Sequence, residues 1–331
     1  MSDIALSCAF AENPRSAPIL SGRVKPEGID LSCSRVGMSE LAWRQFRFRE
    51  FDFSELSMSS LMMARAQGDD AYVGIPIFTT RWFMHTDVLV REDAGIDEPS
   101  QLAGKRVGVP EYQQTAALWS RGILQHEFGV DPLSIHWFME RIPERSHAGA
   151  LGFQPPPGLD LRHIPAETNI GEMMLTGELD ATLLYLGRPN LVDRSSADLG
   201  PGSGVRPLFP DRHAEGARYF AKTGLFPVNH GAAIRKEVAE RHPWAVVNMY
   251  QAFRRAKEAW MEDLRQSLEP YYATGTLHPG TGQARQQDLF PYGVVANREL
   301  LETMIEYSFE QGLTRRKLSI EEIFHPATLD L

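Results

Sequence analysis

Leu102-Ala103-Gly104-Lys105-Arg106-Val107-Gly108-Val109, then Thr115 to Phe128, then Gly177-Glu178-Leu179-Asp180-Ala181: the fold turns on these segments. Arg106 to Pro110 is an apolar run short enough for a strand, and Thr115 to Phe128 has the length and pattern of a helix. Leu161 to Ile164 is extended, Ile170 to Thr176 helical, and Ala181 to Tyr185 reads as a buried strand. Working outward, Glu92 to Gly104 is polar and rich in turn residues, which marks a break. Upstream of it, strands are predicted at Ile4 to Ala9, Ile29 to Val36, Leu56 to Ser59, Val73 to Thr79 and Phe83 to Arg91. Pro14 to Leu20 is a helix or turn, and helices are predicted at Ser39 to Phe48, with Ser39 as N-cap, and at Ser60 to Gln67. Such alternation predicts mostly parallel, open sheets flanked by helices. Gly149 to Gly158, with three consecutive prolines, must be a loop. Leu199 to Gly204 is glycine-rich but follows no strand and opens no helix, so it is not a dinucleotide loop. After Gly224 come a strand, Val228 to Arg235, and long helices from Pro243 to Arg265 and Glu299 to Gln311, the last ending at Gly312.

The order and spacing of these segments resemble type 2 periplasmic binding proteins. The resemblance implies an α/β, two-lobed type 2 periplasmic-binding-protein-like fold, each lobe a mostly parallel open sheet flanked by helices. Lobe 1 is expected to hold residues 1–100, lobe 2 residues 101–224, and 225–331 to return to lobe 1 with the C-terminal helices. A ligand is expected where strand ends face each other across the cleft.

Lys plus Arg is 34 against 43 Asp plus Glu, a formal net charge of −9, which disfavours nucleic acid as a partner. No apolar run approaches the ~20 residues that span a bilayer, so no membrane partner is expected. Met1-Ser2-Asp3-Ile4-Ala5-Leu6-Ser7-Cys8 shows neither the basic nor the apolar region of a secretory leader, so a cytoplasmic protein is expected. Cys8 and Cys33, the two cysteines, sit in apolar strand-like runs and read as reduced, buried thiols.

A narrower resemblance runs end to end. Pro14-Arg15-Ser16 through Gly22-Arg23-Val24-Lys25-Pro26-Glu27-Gly28-Ile29, and Phe78-Thr79-Thr80-Arg81-Trp82-Phe83-Met84-His85, are similar to segments of the 4,5-dihydroxyphthalate decarboxylase family. So are Thr223-Gly224-Leu225-Phe226-Pro227-Val228-Asn229-His230, His242-Pro243-Trp244, and Asp288-Leu289-Phe290-Pro291-Tyr292-Gly293-Val294 with Asn297-Arg298. Two positions depart from the pattern: Asn229 stands where an apolar residue is expected and Met84 where a basic one is. The resemblance implies decarboxylation of an aromatic dicarboxylate, 4,5-dihydroxyphthalate to protocatechuate and carbon dioxide.

That chemistry sets requirements. A ring carboxylate leaves poorly, because its electron pair would sit in an sp² orbital outside the π-system. Protonating the carbon that bears it removes the obstacle, and a para hydroxyl stabilises the cation. The site needs a proton donor, a group that polarises the phenol, and cations that hold the second carboxylate, so a locally positive cleft is expected in a chain that is acidic overall. His85 and His230 are the predicted acid–base residues, with a hydrogen-bonded strand histidine and a hinge tie as the plainer readings. Arg81 lies four residues from His85, so on an extended strand both face one space and Arg81 would clamp a carboxylate. Arg15 in the first βα loop and Arg188 near the second crossover are further carboxylate ligands, or else surface arginines. Thr115 and Gln114 at the helix start, and Ser59 and Ser60 at the end of the third strand, could donate to a ligand or merely cap helices.

No HxH, HExxH or cysteine spacing encodes a metal site, and no GxSxG elbow occurs. No cofactor is predicted; a divalent metal is left open because ligands can converge in space, and so is a homo-oligomer. The competing reading is a solute-binding protein for an aromatic carboxylate without catalytic activity, which the missing leader disfavours. A pyrimidine-precursor synthase of the thiamine type ranks third, for want of a cysteine-rich motif.

Overall fold

The computed structural model describes residues 3–278, 281 and 287–331; Met1 and Ser2, read above with the N-terminal stretch, lie outside the described residues. Strands β1 (Ile4–Phe10), β2 (Ile29–Arg35), β3 (Phe53–Ser57) and β4 (Tyr72–Arg81) alternate with helices α1 (Ala17–Leu20), α2 (Met38–Phe48) and α3 (Met58–Gln67). β1 pairs in parallel with β2 and β3. A late strand, β11 (Val228–Arg235), inserts antiparallel between β3 and β4, giving the order β2-β1-β3-β11-β4. The predicted third strand is therefore shifted: Ser59 and Ser60 fall in the first turn of α3 rather than at a strand end.

The second sheet is built from β5 (Leu89–Arg91), β6 (Arg106–Val109), β7 (His136–Met139), β8 (Leu161–His163), β9 (Ala181–Thr182) and β10 (Val205–Pro207). Its order is β10-β5-β9-β6-β7-β8, with β9-β6-β7-β8 parallel. Helices α4 (Thr115–Phe128), α5 (His147–Ala150) and α6 (Ile170–Thr176) follow β6, β7 and β8 in turn. Gly108 in β6 explains one close approach: a Cβ there would meet Leu179 Cδ1 at 2.9 Å and Ile170 at 3.2 Å.

Of the predicted strand Phe83 to Arg91 only Leu89–Arg91 forms, as β5. The chain leaves β4 at Arg81, makes one 3-10 turn at Met84–Asp87, and enters the second sheet as β5. The sheets therefore part ahead of the 100/101 boundary read from the sequence. The return path runs beside the outward one: Leu208 N donates to Val88 O, and Trp82 N to Pro227 O. On that path lies α7 (Arg212–Thr223).

After β11 come α8 (Lys236–Arg241), α9 (Pro243–Ala273), α10 (Arg298–Glu310) and α11 (Ile320–Ile323). The C-terminal segment is bolted to the edge of β4. Gly293 N donates to Pro76 O, His325 N donates to Gly74 O, and Phe324 packs edge-on against Phe78. Gly74 permits this, since a Cβ there would meet Ile323 O at 2.9 Å. One continuous apolar core joins the two sheets, from Phe10, Phe53 and Phe78 to Val107, Trp119 and Trp137. Trp119 Nε1 ties α4 to the first sheet by donating to Val228 O. A smaller cluster of Ile164, Ile170, Met174, Leu179 and Val205 covers the other face of the second sheet. Among the described residues no helix is long and apolar enough to cross a membrane.

Candidate active site

Between the sheets lies a cleft of about 170 Å³. A cavity of about 150 Å³ holds a benzene-sized ring, so this one suits a single small aromatic. From the first sheet's side it is lined by Met38, Ser39 and Ala42 of α2, Ser57 of β3, and Asn229 and His230 of β11. The second side supplies Gln114, Thr115 and Ala116 at the start of α4, then Arg141, His147, Leu184 and Leu186. Two helix N-termini, those of α2 and α4, thus open onto the same space, which favours an anion there.

His230 is held from behind. Its Nδ1 lies 3.2 Å from Oε1 of Glu55, a β3 carboxylate that is completely buried. That contact leaves Nε2 to the cleft, where the ring is 15% exposed. Glu55 also accepts from Thr79 Oγ1 at 2.8 Å and from Ala11 N at 2.9 Å. Burial alone would push the Glu55 carboxyl up, but the bond and charge of His230, with Thr79 and Ala11, outweigh it and hold it below the usual range. An ionised Glu55 accepts from Nδ1 and so fixes the His230 tautomer, with the proton on Nδ1, when the ring is neutral.

A second histidine, His147 in α5, closes the far wall. Its Nε2 is 2.5 Å from Glu111 Oε2 and its Nδ1 is 2.6 Å from Ser60 Oγ. Both ring nitrogens are occupied. Glu111 is also 3.7 Å from Arg141, whose Nε donates to Asp193 at 2.6 Å. Against the penalty of burial, the charges of His147 and Arg141 hold Glu111 low, and Glu111 with Asp193 pushes Arg141 up. Arg141 is the one guanidinium among the lining residues, and two carboxylates already offset it. A strongly positive, arginine-lined cleft is not what the chain builds.

The floor is a polar seam between the lobes. Thr115 Oγ1 bonds Ser57 Oγ at 2.9 Å and accepts from Ser59 N at 3.1 Å, and Ser59 Oγ donates to Gln113 O at 2.5 Å. Thr115 therefore lines the cleft, while Ser59 and Ser60, both buried, stand behind it and fasten α3 to the second lobe. Gln114 is 8% exposed, and its Nε2 has no partner among the described residues, so a donor waits at the N-terminus of α4.

The arginines and the histidine predicted upstream go elsewhere. Arg81 is buried, and its guanidinium donates to Phe226 O at 2.8 Å, to Pro291 O at 2.9 Å and to Asn297 Oδ1. Burial pushes it down to about 10. It ties β4 to the C-terminal segment and lines a separate pocket beside that segment rather than the cleft. His85 is wholly buried in the 3-10 turn, with Nε2 3.0 Å from Glu215 and its ring against Phe83, Phe209 and Tyr219. The same-face expectation for this pair fails because the strand ends at Arg81. Arg15 donates from Nε to Thr79 O at 2.5 Å and stacks 4.1 Å over Phe290 and 5.1 Å from Trp260, next to the Glu55 pocket rather than in the cleft. Arg188 is exposed on the loop after Leu186.

Glu55, Glu111, Arg141 and His147 were not singled out in the sequence. A usable signal was there: Glu111 and Arg141 each follow the C-terminal end of a parallel strand by two residues, where such sheets place ligands. Glu55 is a carboxylate in an otherwise uncharged, fully buried strand, a costly placement that calls for a partner. Among the described residues no group of three or more His, Cys, Asp or Glu gathers to hold a metal.

Two lobes of sheet and helix, linked by paired crossovers and closing on a polar cleft, define a periplasmic-binding-protein-like architecture. The periplasmic aliphatic sulphonate binding protein SsuA from Escherichia coli has this fold, with a TM-score of 0.56 at 14% identity over 98% of this chain and 92% of that one. Sequence relatives are narrower. The 4,5-dihydroxyphthalate decarboxylase of Comamonas testosteroni is 31% identical over 333 residues, 100% of this chain and 99% of its own length. That of Pseudomonas putida is 32% identical over 183 residues, 55% of this chain and 71% of its own. No family model matches the chain. The chain belongs to the 4,5-dihydroxyphthalate decarboxylase family.

Proposed function

We propose that this protein converts 4,5-dihydroxyphthalate to protocatechuate and carbon dioxide in the interlobe cleft, with His230 as the proton donor. The observation that carries the assignment is the His230–Glu55 pair: a histidine whose Nδ1 rests on a buried carboxylate and whose Nε2 opens into the cleft. Protonated His230 gives its Nε2 proton to the ring carbon bearing one carboxylate. The C–C bond then breaks, its electron pair restores the aromatic ring, and carbon dioxide leaves. Neutral His230 recovers a proton from water. Glu55 acts as a positioning residue, stabilising the imidazolium before transfer.

The substrate's carboxylates are held chiefly by neutral donors: the Gln114 amide, Thr115 and the free N–H groups at the start of α4, with Ser39 opposite and Arg141 beside them. The lobes in this reading divide at the crossovers near 82–88 and 208–227. A cytoplasmic setting belongs to it too, and the free thiols Cys8 and Cys33, side by side on β1 and β2, suit it. The test is carbon dioxide release from 4,5-dihydroxyphthalate in heavy water, with and without chelator. Release with one deuterium at the vacated ring carbon is expected. Tight binding without release would favour a solute-binding protein instead, and loss of release in chelator would require a metal.

A further inference from the structure

β11 is not a regular strand at the cleft. Its register against β4 slips between Val228, opposite Arg81, and His230, opposite Thr80, so Asn229 is an extra residue with no partner across the ladder. Neighbouring residues on a regular strand point to opposite faces. The bulge changes this, and Asn229 and His230 both line the cleft. Glu55 holds the His230 ring, but the Asn229 amide makes no side-chain hydrogen bond to any described residue. An amide left without a partner when an occupant displaces water would carry a desolvation penalty. Its occupant must therefore bond it. A carboxylate can use only the amide's N–H groups. A phenol can use both ends, donating its O–H to Oδ1 and accepting from Nδ2.

We infer that Asn229, which stands where the family pattern has an apolar residue, is a specificity-determining residue particular to this chain that reads the ring hydroxyls of the substrate, and that the bulge sets it beside His230. This rests on reading the cleft as the decarboxylase site. The geometry divides the ligand: carboxylate toward Gln114 and the start of α4 on one lobe, hydroxyl toward Asn229 on the other. An Nδ2–H bond to the hydroxyl para to the departing carboxylate also favours its ionised form, which stabilises the protonated ring.

The test is equilibrium binding by calorimetry in His230→Ala protein, which does not consume the ligand. The affinities of 4,5-dihydroxyphthalate and of phthalate, which lacks the hydroxyls, are compared with and without Asn229→Leu. Removing the amide should narrow the preference for the hydroxylated ligand about tenfold and leave phthalate affinity within about twofold. Asn229→Ala, which adds no bulk, should do the same if the leucine variant folds poorly. An unchanged preference, an equal loss for both ligands, or no preference in the parent would each overturn the assignment. Wild-type carbon dioxide release is measured separately, so failure of the decarboxylase reading shows as absent release while the binding ratio still decides Asn229.

Discussion

Two regions of this molecule contain the same ingredients and use them differently. Behind β4, Arg81 and His85 lie with Glu215 among aromatic rings; in the cleft, Arg141, His147 and His230 lie with Glu55, Glu111 and Asp193. At the back, the two terminal nitrogens of Arg81 donate to backbone carbonyls and an asparagine, while its Nε and His85 Nδ1 are left without a partner among the described residues but are sealed among packed side chains. In the cleft, His230 keeps a ring nitrogen for the open space and Gln114 keeps an unpartnered N–H. Residue type does not separate a site from a strut. What separates them is whether a polar atom is left over facing a space that a ligand can enter.

The contrast breaks most sharply at His230. His230→Asn, which keeps an N–H donor toward the buried Glu55, should lower turnover by about 10²–10⁴-fold while thermal stability stays near the parent's. Equal losses of turnover and stability would make it a strut like His85. The converse is expected at Arg81. Arg81→Met takes the donor from Phe226 O and Asn297 Oδ1, Pro291 O keeping its bond from Asn297 Nδ2, and should cost about 2–4 kcal/mol of stability in urea unfolding, with ligand affinity little changed in the folded fraction. A selective loss of ligand affinity would return Arg81 to the site.

These two residues also show what the sequence can and cannot convey. The alternation of strands and helices and the β11 return are set by local pattern, so the two-lobed fold was legible, though the first crossover was read too late in the chain. That His230, Thr115 and Gln114 line the cleft follows for the same reason: they sit near the ends of elements whose positions pattern fixes. Arg81 and His85 were misread because one local event, the end of β4 at Arg81 and a 3-10 turn after it, reverses where the second side chain points. Glu55, Glu111 and His147 were hidden because each acquires its meaning from a partner 175, 36 or 87 residues away.

Acid should take the two regions apart in order. Burial holds His85 below its ordinary 6.5, and His325, on the segment docked to β4, is also lowered by burial. In the unfolded chain such histidines take up protons that the native state refuses, so stability should start to fall as pH drops below about 6.5. The cleft carboxylates Glu55 and Glu111 are held below their ordinary 4.5, so their contribution is complete above that pH and is lost as pH falls through their lower native values. Urea unfolding from pH 7 to pH 3 should show a shallow decline, then a steeper one below about 4.5. His85→Leu should flatten the shallow part alone. A single steep step starting at neutral pH, untouched by that change, would contradict the assignment of the early phase to the back.

The smallest effect is expected at Arg188, and it tests how far the cleft extends. Arg188 is exposed, two residues beyond the lining residue Leu186, on a loop whose later part is anchored by Asp193 to Arg141 and by Arg194 to Glu140 O and Pro165 O. Anchored there, the loop tip has no need to move for a ring to enter, and a solvated guanidinium at its edge adds little to binding. Arg188→Ala should change stability by less than about 0.5 kcal/mol and ligand affinity by less than about threefold, the scale of a screened surface charge. The measurement is ligand affinity at low and at high salt. A loss of tenfold or more that persists at high salt would show a desolvated contact, meaning that the tip folds over the bound ligand and that Arg188 joins Gln114 in holding a carboxylate.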